Sequence, residues 1–273
     1  MNVFWAILYF AVVYAATVCL VPLLIRMIRP RQTALNYQNR DIPVGLGLVF
    51  SLTVIPAVTA MLLFGHIPRL EGSTAIITVL GFAFLGLIDD TLGSREAKGF
   101  LGHFRTLRHG YLTTGALKAA FGMVVAVLAA TPSSKGLADI LLNALNMALG
   151  ANLANLLDVR PGRSGKFFLL AALPFATAGP YSQVMLVAIA SVLAYLPWDL
   201  RGEAMMGDVG ANVLGALLGL GVMGAPGSAK LAVLAFLACV HLYAEKGSLT
   251  VVIEQTPILR FLDALGRSDL VQR

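Results

Sequence analysis

Residues 3–25 read VFWAILYFAVVYAATVCLVPLLI, and this stretch decides the class of fold. It contains no charged side chain, and a helix needs about 20 apolar residues to cross a hydrocarbon core of about 30 Å. A cleaved signal peptide has a basic segment before a shorter apolar core of about 7–15 residues, and this N-terminus does not have that pattern. We therefore interpret residues 3–25 as the first membrane span.

The whole chain shares this apolar character, because 58% of its 273 residues are hydrophobic and 12% are charged. A soluble domain has about 25% charged residues, so lipid is expected to be the main solvent of this surface. The formal net charge is +6. In a membrane protein we attribute this excess to basic loops beside anionic lipid, and we expect no nucleic-acid partner.

Further apolar stretches predict an all-α, polytopic membrane helix bundle with about nine transmembrane helices. The predicted spans are 3–25, 44–64, 74–88, 116–130, 137–157, 167–179, 183–197, 209–224 and 230–244. The sixth is short, so 167–197 could instead be one re-entrant pair. Residues 1–244 then form the transmembrane bundle, and residues 245–273 form a cytoplasmic tail whose helical periodicity after Pro257 suits the membrane surface.

Charge predicts the orientation of the bundle. With nine spans, 17 of the 20 Lys and Arg residues lie on one side, and only Arg69, Lys135 and Lys230 lie on the other. Such an excess marks the cytoplasmic side, which places the N-terminus outside and the C-terminus in the cytoplasm. All but Glu71 and Asp139 of the 14 acidic residues lie on the same side, and lipid charge does not explain this second asymmetry.

Three of these acids follow the ends of predicted spans, where the helix dipole disfavours negative charge by a few tenths to 1 kcal/mol. They are Asp89 and Asp90 after span three and Asp158 after span five. Each could simply begin a solvated loop. Mg²⁺ bound with phosphate ligands usually relies on one or two carboxylates, so we interpret the adjacent pair Asp89 and Asp90 as a magnesium and phosphate site.

Polar residues also follow one face of span five. Asn152, Asn155 and Asp158 fall within an arc of about 120° at helical spacing. Asparagine forms hydrogen bonds between membrane helices, which is one explanation of the two amides. The other explanation is that they orient a substrate at the cytoplasmic end.

The remaining candidates have competing structural explanations. Asp208 begins span eight, where helix capping and metal binding are equally good interpretations. Pro43 and Gly45 could bind an anion through free backbone N–H groups or could only shape a turn. Lys118, Arg160 and Arg163 could clamp a polyphosphate or anchor the protein at the membrane surface.

Taken in order, these motifs resemble the polyprenyl-phosphate N-acetylhexosamine-1-phosphate transferase superfamily, which is glycosyltransferase family 4. It includes phospho-N-acetylmuramoyl-pentapeptide transferase and the initiating GlcNAc-1-phosphate transferases. The resemblance runs from about residue 40 to 215. The matching motifs are Pro43–Gly47, Asp89–Asp90, Lys118, Asn152–Asp158 and Gly207–Gly210.

This resemblance implies transfer of a phospho-sugar of the HexNAc-1-phosphate type from a UDP-sugar to polyprenyl (undecaprenyl) phosphate, with release of UMP, in cell-envelope glycan synthesis. It implies Mg²⁺ on Asp208, with Asp89 or Asp90. The catalytic residues would be Asp89, Asp90 and Asp158. Substrate would contact a further set of residues: Asn152, Asn155, Lys118, Arg160, Arg163, Pro43 and Gly45. Whether the enzyme forms a homodimer is left open.

The chain also departs from the family pattern. After Asp158 the family often has Gly-Leu-Asp-Gly, whereas residues 159–162 here are Val-Arg-Pro-Gly. The aspartate linked to nucleotide recognition is therefore missing, and the His-rich loop of the muropeptide enzymes has no counterpart. A catalytically inactive relative that binds the lipid carrier is one alternative. A transporter is another, although transporter coupling residues usually lie near the middle of the membrane.

Overall fold

The computed structural model describes residues 1–36, 38–93 and 114–267. A helix lies at each predicted span. In chain order these helices are α1 (Val3–Ile28), α2 (Leu48–Leu63), α3 (Arg69–Leu92), α4 (Thr114–Ala130), α5 (Leu137–Leu157), α6 (Arg163–Thr177), α7 (Ser182–Leu200), α8 (Gly207–Met223) and α9 (Gly227–Ala244). Two short helices follow, α10 (Leu249–Gln255) and α11 (Pro257–Ala264).

Six of these helices are long and apolar enough to cross a membrane, namely α1, α3, α4, α5, α7 and α9. The helices α2 and α8 are apolar but shorter, and α6 has 15 residues. The protein is therefore a helical membrane protein, as predicted. The count of nine spans, the orientation and the re-entrant alternative for α6 and α7 remain predictions.

Helix α8 is the centre of the bundle. Every one of its residues except Asp208 is buried, and it packs chiefly against α5 and α3. A helix that is apolar on all sides is expected to be enclosed by protein. Because its neighbours surround it, α8 does not need the length of a lipid-exposed span.

Glycines allow α8 to approach its neighbours closely. A Cβ atom added at Gly215 would contact the backbone of Gly150 and lie 2.5 Å from the Cα atom of Ala151 in α5. A Cβ atom at Gly47, which precedes α2, would lie 2.6 Å from the backbone nitrogen of Gly210. Small residues at such contacts let membrane helices meet backbone to backbone.

The segment between α1 and α2 contains an antiparallel pair of short strands, which the all-α prediction did not include. Strand β1 (Thr33–Leu35) pairs with β2 (Asp41–Pro43), and Ala34 lies opposite Ile42. Val44 then forms a parallel bridge with Met205, which precedes α8. This first loop is thereby fixed to the start of the central helix.

The tail beyond α9 contacts the bundle with its polar side. The side chains of Ile258 and Phe261 in α11, and of Leu265 directly after it, are exposed, whereas Asp263 is paired with Arg163 of α6. An exposed apolar side is what a helix at the membrane surface requires, and that placement of the tail remains a prediction. Residues 268–273 lie outside the described part of the chain.

Candidate functional site

The start of α8 is held by the carboxylate of Asp90, near the end of α3. Its Oδ1 atom accepts a hydrogen bond of 2.9 Å from the backbone N–H of Asp208, and Oδ2 accepts one of 3.0 Å from that of Val209. The first N–H groups of a helix have no partner within the helix, and the positive end of the dipole favours an anion. Asp90, predicted as a metal ligand, thus has a structural role in positioning Asp208.

The backbone around Pro43 and Gly45 completes this support. The carbonyl oxygen of Pro43 accepts a bond of 2.8 Å from the N–H of Met205, and the N–H of Leu46 donates to the carbonyl of Met205 at 3.1 Å. Gly45 (φ +90°) and Gly207 (φ +72°) both adopt the left-handed conformation, which favours glycine. Pro43 and Gly45 therefore shape the loop under Asp208, and their contact with substrate remains a prediction.

The end of α5 brings two of its three predicted polar residues to this site. The amide Nδ2 of Asn155 donates to Oδ2 of Asp208 at 3.0 Å, and Asp158 caps the end of α5. Asn152 lies about one turn further from the helix end, and its side chain is exposed. One explanation predicted for the two amides was a hydrogen bond between helices. Asn155 forms such a bond, and its partner, Asp208, is itself a candidate site residue.

Asp158 lies among other carboxylates. Burial, together with the negative charges of Asp199, Asp208 and Asp90, raises the pKa of Asp158 well above its usual range, despite a backbone hydrogen bond from Gly207. Like charges in one site disfavour ionisation. The carboxylate of Asp158 is therefore stabilised by a bound cation or by a proton. Asp89, one residue before Asp90, is partly buried at the same end of α3.

A small cleft with both polar and apolar lining residues opens beside Asp158. Its lining residues are Asn36, Ile42, Asp158, Val159, Arg160, Pro161, Asp199, Gly202, Ala204 and Met205. Asp199 is 4% exposed and Asn36 is 8% exposed. The Asp199 Oδ2 atom and the Asn36 Nδ2 atom have no hydrogen-bond partner within the described ranges. Because buried polar atoms are normally paired, an acceptor and a donor that line one cleft indicate a polar ligand.

The predicted cations are arranged differently from one another. Arg160 lines the cleft, with 30% of its side chain exposed, and lies 3.8 Å from Glu254. Arg163 is buried and forms a two-bond ion pair with Asp263, and its contact with a substrate phosphate remains a prediction. Lys118 lies in α4, and its side chain falls outside the described part of the structure.

The carboxylates are the type of ligand that a divalent cation binds, but they do not by themselves form a complete coordination shell. Within residues 1–36, 38–93 and 114–267, no three His, Cys, Asp or Glu side chains are grouped closely enough to hold a metal ion by themselves. Mg²⁺ usually takes one or two carboxylates and completes its shell with waters and substrate phosphates. Burial first, and then the negative charges of Asp199, Asp208 and Asp90, raise the pKa of Asp158, and such an ion would offset those charges.

Sequence reasoning missed Asp199, Asn36 and Asp263. The helix-end argument that selected Asp89, Asp90 and Asp158 applies equally to Asp199, which lies in the last turn of α7. The sequence around Asn36 gave no comparable indication. Asp263 lies in the tail helix, and only the folded chain brings it to Arg163.

The fold and these contacts define a helical membrane protein with several aspartates at one end of its bundle. A family model, glycosyl transferase family 4, matches residues 73–225, which is more than half of the chain and includes Asp89, Asp90, Asp158 and Asp208. The chain belongs to this family of transferases, and membership indicates phospho-sugar transfer to a polyprenyl phosphate carrier. No curated protein matches the sequence.

Proposed function

We propose that this protein transfers a sugar 1-phosphate of the HexNAc type from a UDP-sugar to a polyprenyl phosphate, with release of UMP, in cell-envelope glycan synthesis. The observation that carries the proposal is the meeting of Asp90, Asn155, Asp158 and Asp208 at one end of an apolar bundle. One substrate is lipid-linked and the other is water-soluble. A reaction between them needs polar groups where membrane helices end.

The side chains suggest a division of roles. Asp208, fixed by Asn155 and by the backbone contacts of Asp90, is suited to hold Mg²⁺ together with Asp89. When bound there, Mg²⁺ would offset the charge of the donor diphosphate and stabilise the leaving phosphate. Asp158, which lies beside these carboxylates, is suited to accept the proton of the lipid phosphate.

The donor would bind in the cleft. Arg160 is placed to stabilise phosphate charge, and the buried Asp199 and Asn36 offer one acceptor and one donor to its polar groups. Asn152 and Lys118 remain predicted substrate contacts. The transporter alternative has less support, because the carboxylates described above lie at helix ends. An inactive relative would bind the lipid carrier at the same aspartates without turning over.

The proposal is tested with purified protein, polyprenyl phosphate and a panel of UDP-sugars. We expect one donor to give UMP and a new lipid-linked sugar phosphate in equal amounts, and we expect EDTA to stop both and added Mg²⁺ to restore them. If no donor in the panel gives UMP while the lipid phosphate still binds, the protein is an inactive relative. If product forms equally well in EDTA, the metal assignment is wrong.

The cleft gives a more specific prediction. The change Asp199→Asn preserves the shape of the side chain, removes its charge and puts an amide nitrogen in place of one of its two acceptor oxygens. We therefore expect the KM for the sugar nucleotide to rise about tenfold or more. The KM for the lipid should be unchanged. Initial rates at varied donor and varied lipid separate the two constants.

The matched control for that experiment is Glu203→Gln, which makes the same change of charge four residues away on an exposed side chain. It should behave as the parent protein. An equal increase in both KM values for Asp199→Asn, or no change in either, would place the donor outside this cleft.

A further inference from the structure

The C-terminal segment is attached to the loop that forms one wall of the cleft. Arg163 follows this loop directly, and its Nε and Nη2 atoms donate to the two carboxylate oxygens of Asp263 at 2.7 and 3.1 Å. Its Nη1 atom donates to the hydroxyl of Thr250 at 3.0 Å. Arg163 is 5% exposed. All three nitrogens of a buried guanidinium are thus bonded to the tail.

Further contacts fix the same segment. The Lys166 ammonium donates to the backbone carbonyls of Asp263 at 2.6 Å and Leu265 at 3.1 Å. Arg267 donates to Oδ2 of Asp263 at 3.0 Å. Burial by itself would raise the pKa of Asp263, but the Arg163 hydrogen bond and the charges of Arg163, Arg267 and Lys166 outweigh it and lower the pKa. The carboxylate therefore stays ionised at neutral pH.

These contacts reach the cleft through a very short connection. Residues 158–162 join α5 to α6, and residues 158–161 line the cleft. Gly162 adopts φ +72°, and the N–H of Arg163 donates to the carbonyl of Arg160 at 3.2 Å. A Cβ atom at Gly266 would lie 3.1 Å from Leu200, the side chain against which Gly162 also packs. The tail thus contacts Arg163 at the end of the loop and also Leu200, against which the loop packs.

A loop this short has few conformations when both of its ends are held. When one end is released the loop gains conformations, and few of them are compatible with binding. One end is held by α5. The other end is Arg163, the first residue of α6, whose guanidinium is paired with a residue 100 positions later in the chain. Small displacements of groups that orient a substrate cost up to about a hundredfold in rate.

We propose that Asp263 is a positioning residue, whose ion pair with Arg163 keeps residues 158–162 in the shape that the donor cleft requires. It does not touch the substrate. The inference rests on the proposed function in one respect only, which is that this loop binds the sugar nucleotide. The attachment of the tail to the loop can be tested without any turnover.

The first experiment measures amide hydrogen exchange of the full-length protein in detergent. In Asp263→Asn, we expect amides in residues 159–163 to exchange about tenfold faster, while those in α8 remain at the parent rate. Asp263→Glu, which keeps the charge, should restore most of the protection. The matched control is Arg260→Gln, a change of one charge on an exposed side chain of the same helix, and it should match the parent.

The second experiment measures kinetics with the same variants. Asp263→Asn should raise the KM for the sugar nucleotide about tenfold and leave the KM for the lipid unchanged, with recovery in Asp263→Glu. If Asp263→Asn aggregates, Arg163→Lys, which retains charge but cannot make the two-bond pair, takes its place in both measurements.

Unchanged exchange in residues 159–163 of a folded variant would overturn the inference, as would equal changes in both KM values. Absence of UMP release from the parent protein is a different outcome. It would remove the proposed function, and the exchange experiment would still decide whether Asp263 fixes the loop.

Discussion

Replacing Asp208 with Asn is expected to reduce transferase turnover by about a thousandfold. The carboxylate is the one side chain of α8 that is not buried, and its Oδ2 atom is oriented by Asn155 at 3.0 Å. Asparagine keeps the shape and one oxygen but loses the charge that a divalent cation and its diphosphate ligand require. The change is therefore expected to affect kcat strongly while the protein remains folded.

The measurement is the rate of UMP release at saturating substrates, with Mg²⁺ titrated for each variant. Asp41→Asn is the matched control, because it makes the same change of charge on an exposed aspartate in β2, and it should retain parent activity. An Asp208→Asn protein with more than about a tenth of the parent turnover at every Mg²⁺ concentration would contradict the role assigned to this carboxylate.

The second large effect is expected from a single methyl group at the seam between α5 and α8. In Gly215→Ala the new Cβ atom would contact the carbonyl oxygen of Gly150 and lie 2.5 Å from the Cα atom of Ala151. Backbone atoms cannot move aside as a flexible side chain can, so the helices must separate. We expect a loss of stability of about 3 kcal/mol or more and, because Asn155 and Asp208 lie on these two helices, a loss of activity.

Gly227→Ala provides the matched control, since a Cβ atom at Gly227 would meet nothing within 4 Å. Both variants are compared by their yield of monodisperse protein in detergent and by the temperature at which that yield is halved. Gly227→Ala should equal the parent or slightly exceed it, because alanine favours helix. A Gly215→Ala protein that melts with the parent would show that α5 and α8 do not approach each other so closely.

Much of the helical architecture could be predicted from the sequence, because lipid leaves the chain few alternatives to helix. The predicted span 137–157 coincides with α5. Other boundaries differ for a physical reason. Helix α3 runs from Arg69 to Leu92, beyond the predicted 74–88, because hydropathy marks the apolar middle of a helix while backbone hydrogen bonding continues through its polar ends.

The candidate site could be predicted only in part. The helix-end argument selected Asp158, which the structure places among other carboxylates. It could not show that Asp90 would accept hydrogen bonds from the start of a helix 118 residues later, or that Arg163 would pair with the tail. Such partners depend on which helix ends meet in space, and neither periodicity nor composition carries that information.

The enclosed position of α8 also has a consequence for the order of biosynthesis. Of its neighbours, α2, α3, α5, α6 and α7 precede it in the chain, and α9 follows it. During synthesis the preceding helices therefore reach the membrane before α8 is available to fill the space between them. Their surfaces that pack against α8 stay uncovered until residues 207–223 emerge from the ribosome. The contacts of Asp90 and Asn155 with Asp208 require α8, so a nascent chain that stops short of α8 has apolar helices for the membrane but lacks these contacts.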